Sequence, residues 1–435
     1  MVTEFLFNEE IQEKIIRAEK RIAAHHQEID RIALINQKRV MDSFARHQVA
    51  DFHFSPTTGY GYDDLGRDTL EAIYADVFGG EAALVRHQIV SGTHAIAIAL
   101  FGLLRPGDEL LYISGKPYDT LEEIVGIRGH GSGSLRDYGI SYNMVPLREG
   151  RMDKQAIKEA ITEKTKVIGI QRSKGYGDRP SFHIDELADV IAFVKSIKQE
   201  VLVFVDNCYG EFVETEEPCH VGADIIAGSL IKNPGGGLAK TGGYLVGQTQ
   251  AIELASYRLA APGIGAEGGA TLGTLLDMYQ GFFLAPHVVA QSVKGAVFTA
   301  ALLEELGLET RPSSQERRTD LIQAVHFKTG EQMVAFCQAI QQASPVNAHV
   351  KPQPSYMPGY ADDVIMAAGT FVQGASIELS ADGPLRPPYA AYIQGGLTYE
   401  HVKLAVSAAC EKTFMTEKDR EKDEQSPSGN KESKF

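Results

Sequence analysis

Residues 201–212, VLVFVDNCYGEF, and residues 223–247, ADIIAGSLIKNPGGGLAKTGGYLVG, decide the fold. Each opens as a short, almost wholly apolar run, the form taken by a strand buried on both faces of a parallel sheet. The first run ends at Asp206 and the second near Ser229, with Lys232 in the turn beyond. Parallel strands deliver their last residues to one carboxyl edge, where α/β sheets bind ligands, so an acid, a hydroxyl and an amine are expected to meet there. The glycines after Lys232 let the backbone turn tightly beside a bulky neighbour. Taken singly, the aspartate and the lysine are better explained as solvated surface charges.

The same alternation extends outward. Strands are expected at 84–90, 109–113, 142–146, 166–170, 202–205, 224–227 and 243–246, separated by helical patterns, which reads as a mostly parallel seven-stranded α/β sheet. Upstream, residues 8–49 carry Ile11, Ile15, Ile16, Ile22 and Ile29 near helical spacing and predict one or two helices. A turn-rich loop, FHFSPTTGYGYDDLG, follows. Downstream, helices are expected over 287–306 and 330–342, the second preceding a strand-like VIMAAGTFVQGASIEL. The expected organisation is a helical segment at 1–50, a large domain at 51–290, a smaller α+β domain at 291–412 and a charged, disordered tail at 413–435.

Composition bounds the function. At 435 residues the chain exceeds one ordinary core, and its formal net charge of -15 argues against nucleic acid or an anionic membrane surface as partner. The start lacks a basic and apolar leader, and the apolar run at 95–104 is too short to span a bilayer. Four scattered cysteines without C-x-x-C spacing fit reduced thiols in a cytoplasm. GGGLAKT lacks the glycines of a P-loop, and Cys219-His220 and His25-His26 lack zinc-ligand spacing, so no metal is expected.

A strand-to-helix junction precedes SGTHAIAIALFG: Ser91 is placed to cap the helix, and Gly92 and Thr93 bring backbone close to an anion, the usual setting for phosphate. Tyr118, in SGKPYDTLEE, follows the next strand and is a candidate to lie against an aromatic ring, as is His94. A lysine amine for an imine, a carboxylate for a pyridine nitrogen and a phosphate cradle together describe a pyridoxal 5′-phosphate site. Its expected residues are Lys232, Asp206 and Tyr118 as catalytic groups, with Ser91, Gly92, Thr93 and Ser229 holding the cofactor. For the substrate carboxylate the candidates are Arg386, in GPLRPPYAAY, and Arg172, in QRSKGY, because a guanidinium binds carboxylate bidentately. Lys232 works as a base only where desolvated, cation-rich surroundings lower its pKa.

SG-x-x-A at Ser91 to Ala95, Tyr118, Asp206-Asn207 and Ser-x-x-Lys at Ser229 to Lys232 occur in an order that resembles fold-type-I pyridoxal-phosphate enzymes of cysteine and methionine metabolism. TTGYGYDDLGRDTLE, QRSKGY and SLIKNPGGGLAKTGGY are further similar to the bacterial aluminium-resistance or methionine gamma-lyase-like proteins, relatives of the cystathionine lyases. The resemblance implies an aspartate-aminotransferase-like fold and carbon-sulfur bond cleavage in a small amino-acid substrate by α,β- or α,γ-elimination. It also implies a homodimer or homotetramer with shared sites, in which Tyr62 reaches the partner's cofactor. In the cystathionine lyases that arm brings a Tyr-x-Arg pair, whereas here Asp64 stands at the arginine position, leaving Arg67 or Tyr60 as substitutes. Ile231 likewise stands where the lyases carry Ser or Thr. Transamination, racemisation and a binding role without turnover remain open on the same scaffold.

Overall fold

The computed structural model describes residues 6–129, 132–177, 179–357 and 362–414, so the expected tail lies almost wholly outside it. In chain order its elements are α1 (Glu9–Arg46), α2 (Leu65–Phe78), β1 (Ala82–Arg86), α3 (Gly92–Leu103), β2 (Glu109–Tyr112), α4 (Asp119–Val125), β3 (Ser141–Met144), α5 (Lys154–Ala160), β4 (Thr165–Gln171), α6 (Ile184–Ile197), β5 (Leu202–Asp206), β6 (Ile225–Ser229) and β7 (Gly243–Gly247). There follow α7 (Thr249–Leu259), α8 (Leu275–Glu305), β8 (Glu309–Arg311), β9 (Gln323–His326), α9 (Gly330–Gln342), β10 (Val364–Ala367), β11 (Ser380–Pro384), β12 (Ala390–Gln394) and α10 (Tyr399–Phe414).

All seven expected strands form one sheet, ordered β1-β7-β6-β5-β4-β2-β3, in which only β7 runs against its neighbours. Its central strands are buried on both faces, as their unbroken apolar runs require. A second sheet, β10-β11-β12-β9-β8, is antiparallel throughout. Asn8 caps α1 by accepting the Ile11 amide at 3.0 Å, and Ile11, Ile15, Ala18 and Ile22 are completely buried beneath the second sheet's core. Farther along the same helix Val40 enters the core of the large sheet. The division expected near residue 290 falls inside α8, a continuous 31-residue helix whose first half joins the large-sheet core and whose second half joins the other. No described helix is long and apolar enough to cross a membrane.

One expected strand is corrected. Of the apolar stretch 364–379 only Val364–Ala367 enters a ladder. The Glu378 carboxylate accepts the amides of Phe371 and Val372 at 2.8 and 2.9 Å, satisfying the backbone locally, while Ala375 and Ile377 bury their side chains without strand pairing.

Candidate functional site

The carboxyl ends of β4, β5 and β6, the start of α3 and one face of the second sheet enclose a cavity of about 300 Å³. Ser91, Gly92, Thr93, Tyr118, Asp206, Ser229 and Lys232, widely separated in sequence, all line it. Ser91 caps α3 by accepting the His94 amide at 3.0 Å, which leaves the first helical amides facing the cavity. A Cβ on Gly92 would approach Cys208 Sγ to 3.2 Å and Ser229 Cβ to 3.4 Å, so a larger residue would fill the cradle. The Tyr118 and Thr93 hydroxyls lie 3.2 Å apart, and the Gln171 amide oxygen accepts the Tyr118 backbone N–H at 3.1 Å. Asp206 is 5% exposed and accepts the Cys208 N–H at 3.1 Å.

Lys232 Nζ lies 3.9 Å from the centroid of the Tyr209 ring. Burial penalises its charge, but Cys208, Tyr209, Asp206 and Tyr118 more than offset that and hold its pKa above the ordinary lysine value. The cation-rich surroundings expected for a lysine base are therefore absent: Lys232 is the one Lys or Arg among the described residues lining the cavity. The turn after it presses backbone to backbone on α8. A Cβ on Gly236 would come within 2.3 Å of Gly281 O, and one on Gly281 within 2.2 Å of Gly235 O, which fixes the need for glycine at both contacts.

Three expected residues do not line this cavity, one of them, Tyr62, expected at a partner's site. Arg386 is exposed in the connection between β11 and β12 and pairs with Asp362 at 2.9 Å. Arg172 is completely buried. Its guanidinium donates to Asn207 Oδ1 at 2.8 Å, Glu214 Oε2 at 3.0 Å and Thr319 Oγ1, so it braces the residue after Asp206 and has no group directed at the cavity. Tyr62 is exposed on its own arm, stacked on Tyr60. Asp64, at the position of the lyases' arginine, caps α2 by accepting the Arg67 amide at 2.9 Å. Arg67 is buried and donates to the carbonyls of Gly61 and Gly269, so it anchors the arm.

The sequence reading missed Gln171, Tyr176, Cys208, Tyr209 and Gln394 as cavity residues. Cys208 and Tyr209 directly follow the Asp206-Asn207 pair, and Tyr176 closes QRSKGY, so these three had a positional signal. Gln394 comes from β12 and had none, because only the docking of the second sheet brings it in.

The model of the methionine gamma-lyase family matches residues 11–414. The chain belongs to that family. It is 67% identical over 401 residues to the uncharacterized protein YnbB of Bacillus subtilis, covering 92% of this chain and 95% of that one. It is 30% identical to the L-methionine gamma-lyase of Pseudomonas putida over 57% of each chain. A crystal structure from Listeria monocytogenes, provisionally named a cystathionine beta-lyase involved in aluminum resistance, superposes with a TM-score of 0.92 at 64% identity, covering 93% of this chain and 100% of that one. A carbon-sulfur lyase involved in aluminum resistance from Clostridium novyi gives 0.90 at 44% identity, covering 94% and 97%. The cofactor of the family is pyridoxal 5′-phosphate, and the cavity's helix terminus, glycine cradle, buried carboxylate and buried lysine fit it.

Proposed function

We propose that this chain is a pyridoxal-phosphate-dependent carbon-sulfur lyase acting on a sulfur-containing amino acid, with release of a thiol, ammonia and a 2-oxo acid. The observation that carries the reading is the meeting of Lys232 and Asp206 with the α3 terminus in one cavity. Relatives named as lyases support the reaction class.

In this reading the amides of Gly92 and Thr93 and the hydroxyls of Ser91 and Ser229 hold the phosphate, and Tyr118 flanks the ring. Asp206 supplies the carboxylate that keeps a ring nitrogen protonated. When bound, the cofactor supplies an electron sink for charge developing at the substrate α-carbon. Lys232 Nζ both tethers the cofactor and, once released, takes the α-proton.

The active unit is proposed to be at least a dimer, on the exposed Tyr60–Tyr62 pair. A cytoplasmic setting is proposed on the free thiols Cys208, Cys219, Cys337 and Cys410.

The test is an amino-acid panel assayed in parallel for ammonia, 2-oxo acid and thiol, with borohydride reduction and peptide mapping to locate the cofactor. Attachment at Lys232 with equal release of all three products supports the reading. Attachment at Lys174 or Lys240, or 2-oxo acid formed without thiol, sinks it.

A further inference from the structure

One part of the cavity wall lies outside the expected cofactor cradle. It is formed by Ser173, Gly175 and Tyr176 from the segment after β4, and by Ile322 and Gln394 from the second sheet. No arginine or lysine among the described residues lines this part of the wall; the Arg179 guanidinium stands behind it, donating to Ser173 O at 2.6 Å.

Tyr176 ties the segment after β4 to the second sheet. Its hydroxyl donates to Asp382 Oδ2 of β11, its backbone carbonyl accepts the Tyr392 hydroxyl at 2.9 Å, and the Tyr176 and Tyr392 rings lie 5.0 Å apart. Asp382 is 3% exposed, and its other oxygen, Oδ1, has no hydrogen-bond partner among the described residues. A buried carboxyl with one oxygen unsatisfied is a cost to folding. Its one side-chain partner among the described residues is the cavity residue Tyr176, so the acid is better explained by what it does to Tyr176 than by stability.

We propose that Asp382 is a positioning residue that acts through Tyr176, setting the substrate-side wall of the cavity from the second sheet. The proposal deepens the lyase reading and rests on it only for the identity of the substrate. Asp382 itself touches neither cofactor nor the expected reacting atoms.

The experiment uses the cofactor-loaded protein and compares Tyr176→Phe, Asp382→Leu and the double variant. Amino-acid affinity is read from the change in the cofactor's visible absorbance, alongside kcat, KM and Tm. Each single variant is expected to weaken amino-acid binding and raise KM about tenfold, the effect of one hydrogen bond to an ionisable partner, with kcat within about twofold. The double variant should be no worse than either single one, and Asp382→Leu should unfold at the same or a higher temperature. A merely structural acid would instead lower Tm and leave KM alone. Losses that multiply in the double variant, or a fall in kcat at unchanged KM, overturn the proposal. If Asp382→Leu does not fold, Tyr176→Phe decides: unchanged binding and KM overturn it. Because binding is read by absorbance, an inactive wild type that still binds amino acids would sink the lyase reading and leave this test intact.

Discussion

Tyr209 covers Lys232 from a backbone conformation that few residues adopt: its φ is 73°, and its ring centroid lies 3.9 Å from Lys232 Nζ. A bulky residue in the left-handed region costs about 1 to 2 kcal/mol, and such strain persists where the surroundings impose it. Here the imposing surroundings are Arg172 and Glu217, which grip Asn207 on one side of Tyr209, and Glu217 again, which accepts the Phe212 N–H at 2.7 Å on the other. The loop after Asp206 is thus clamped at both ends, with its tyrosine turned over the lysine.

Tyr209→Gly should therefore separate stability from activity. Glycine tolerates the conformation, so the variant is expected to be as stable as the parent or up to about 1 kcal/mol more stable. Removing the ring that orders the lysine should lower turnover about tenfold, which corresponds to about 1.4 kcal/mol in the barrier. Chemical denaturation and steady-state kinetics on one preparation check it; a loss of stability with unchanged kcat would assign the tyrosine to packing.

The contact between Gly281 and the turn after Lys232 gives a second prediction. Gly281→Ala would place a Cβ 2.2 Å from Gly235 O, and neither partner is a flexible side-chain tip that can move aside. The variant is expected to lose about 1 to 3 kcal/mol, the usual cost of overpacking, and the strain should displace the turn that carries Lys232. Cofactor content per chain, measured by visible absorbance, should fall along with the unfolding midpoint.

What the sequence made legible follows from which physical signal each feature leaves. The strands ending at Asp206 and Ser229 bury both faces and so announce themselves as unbroken apolar runs, and the helix start at Ser91 announces itself by its cap. Arg172 and Arg386 show why site residues were harder. Guanidinium chemistry nominates every arginine near a strand end or a loop, but only packing reveals that Arg172 is surrounded by Asn207, Glu214 and Thr319 and that Arg386 faces solvent. Asp64 misled in the opposite sense. Compared with an arm that carries arginine it looked like a departure, whereas locally it is an ordinary helix cap. Gln394 and Asp382 left no trace, because their meaning depends on one sheet docking against another.

Buried acids set the expected pH dependence of stability. Burial pushes Asp382 up to about 7 and Glu211 up to about 8, whereas unfolded carboxyls release their protons near about 4. For such raised groups the folded state holds protons that the unfolded chain has lost, so their contribution is complete below about pH 4 and is lost as pH rises through about 7 to 8. Glu214 behaves oppositely. Burial would raise it, but His183 and Arg172 outweigh that and hold it down to about 2, so its contribution is present above about pH 4 and lost as pH falls toward 2. The contribution of Asp382 and Glu211 to the unfolding free energy should therefore decline from mildly acidic to alkaline pH, by up to about 1.4 kcal/mol per pH unit for each group. Glu211→Gln should flatten that decline. Equal slopes for the parent and the variant between about pH 5 and 9 would remove Glu211 from the account.

The last prediction concerns the arm. Tyr60 and Tyr62 are 77% and 54% exposed, yet they are rigidly presented and stacked with ring centroids 5.4 Å apart. Between them Gly61 has φ 61° and lies so close to the Gly269–Ala270 backbone that a Cβ would come within 2.6 Å. The Gly269 amide donates to Tyr60 O at 2.8 Å, and the buried Arg67 guanidinium holds Gly61 O. A loop pinned at its centre, with both aromatic rings turned to solvent, has already met the ordering cost that binding would otherwise impose. A second copy of the chain is the occupant expected for it, and a two-fold arrangement would bury both arms at once. Sedimentation velocity should show at least a dimer, with Tyr60→Ala plus Tyr62→Ala shifting it toward monomer. Mixing Lys232→Ala with Tyr62→Ala, each inactive alone, should restore activity after subunit exchange, because one of the two sites in a mixed dimer then has an intact Lys232 and receives an intact Tyr62. With exchange verified by mass, failure to recover any activity would confine Tyr62 to its own subunit.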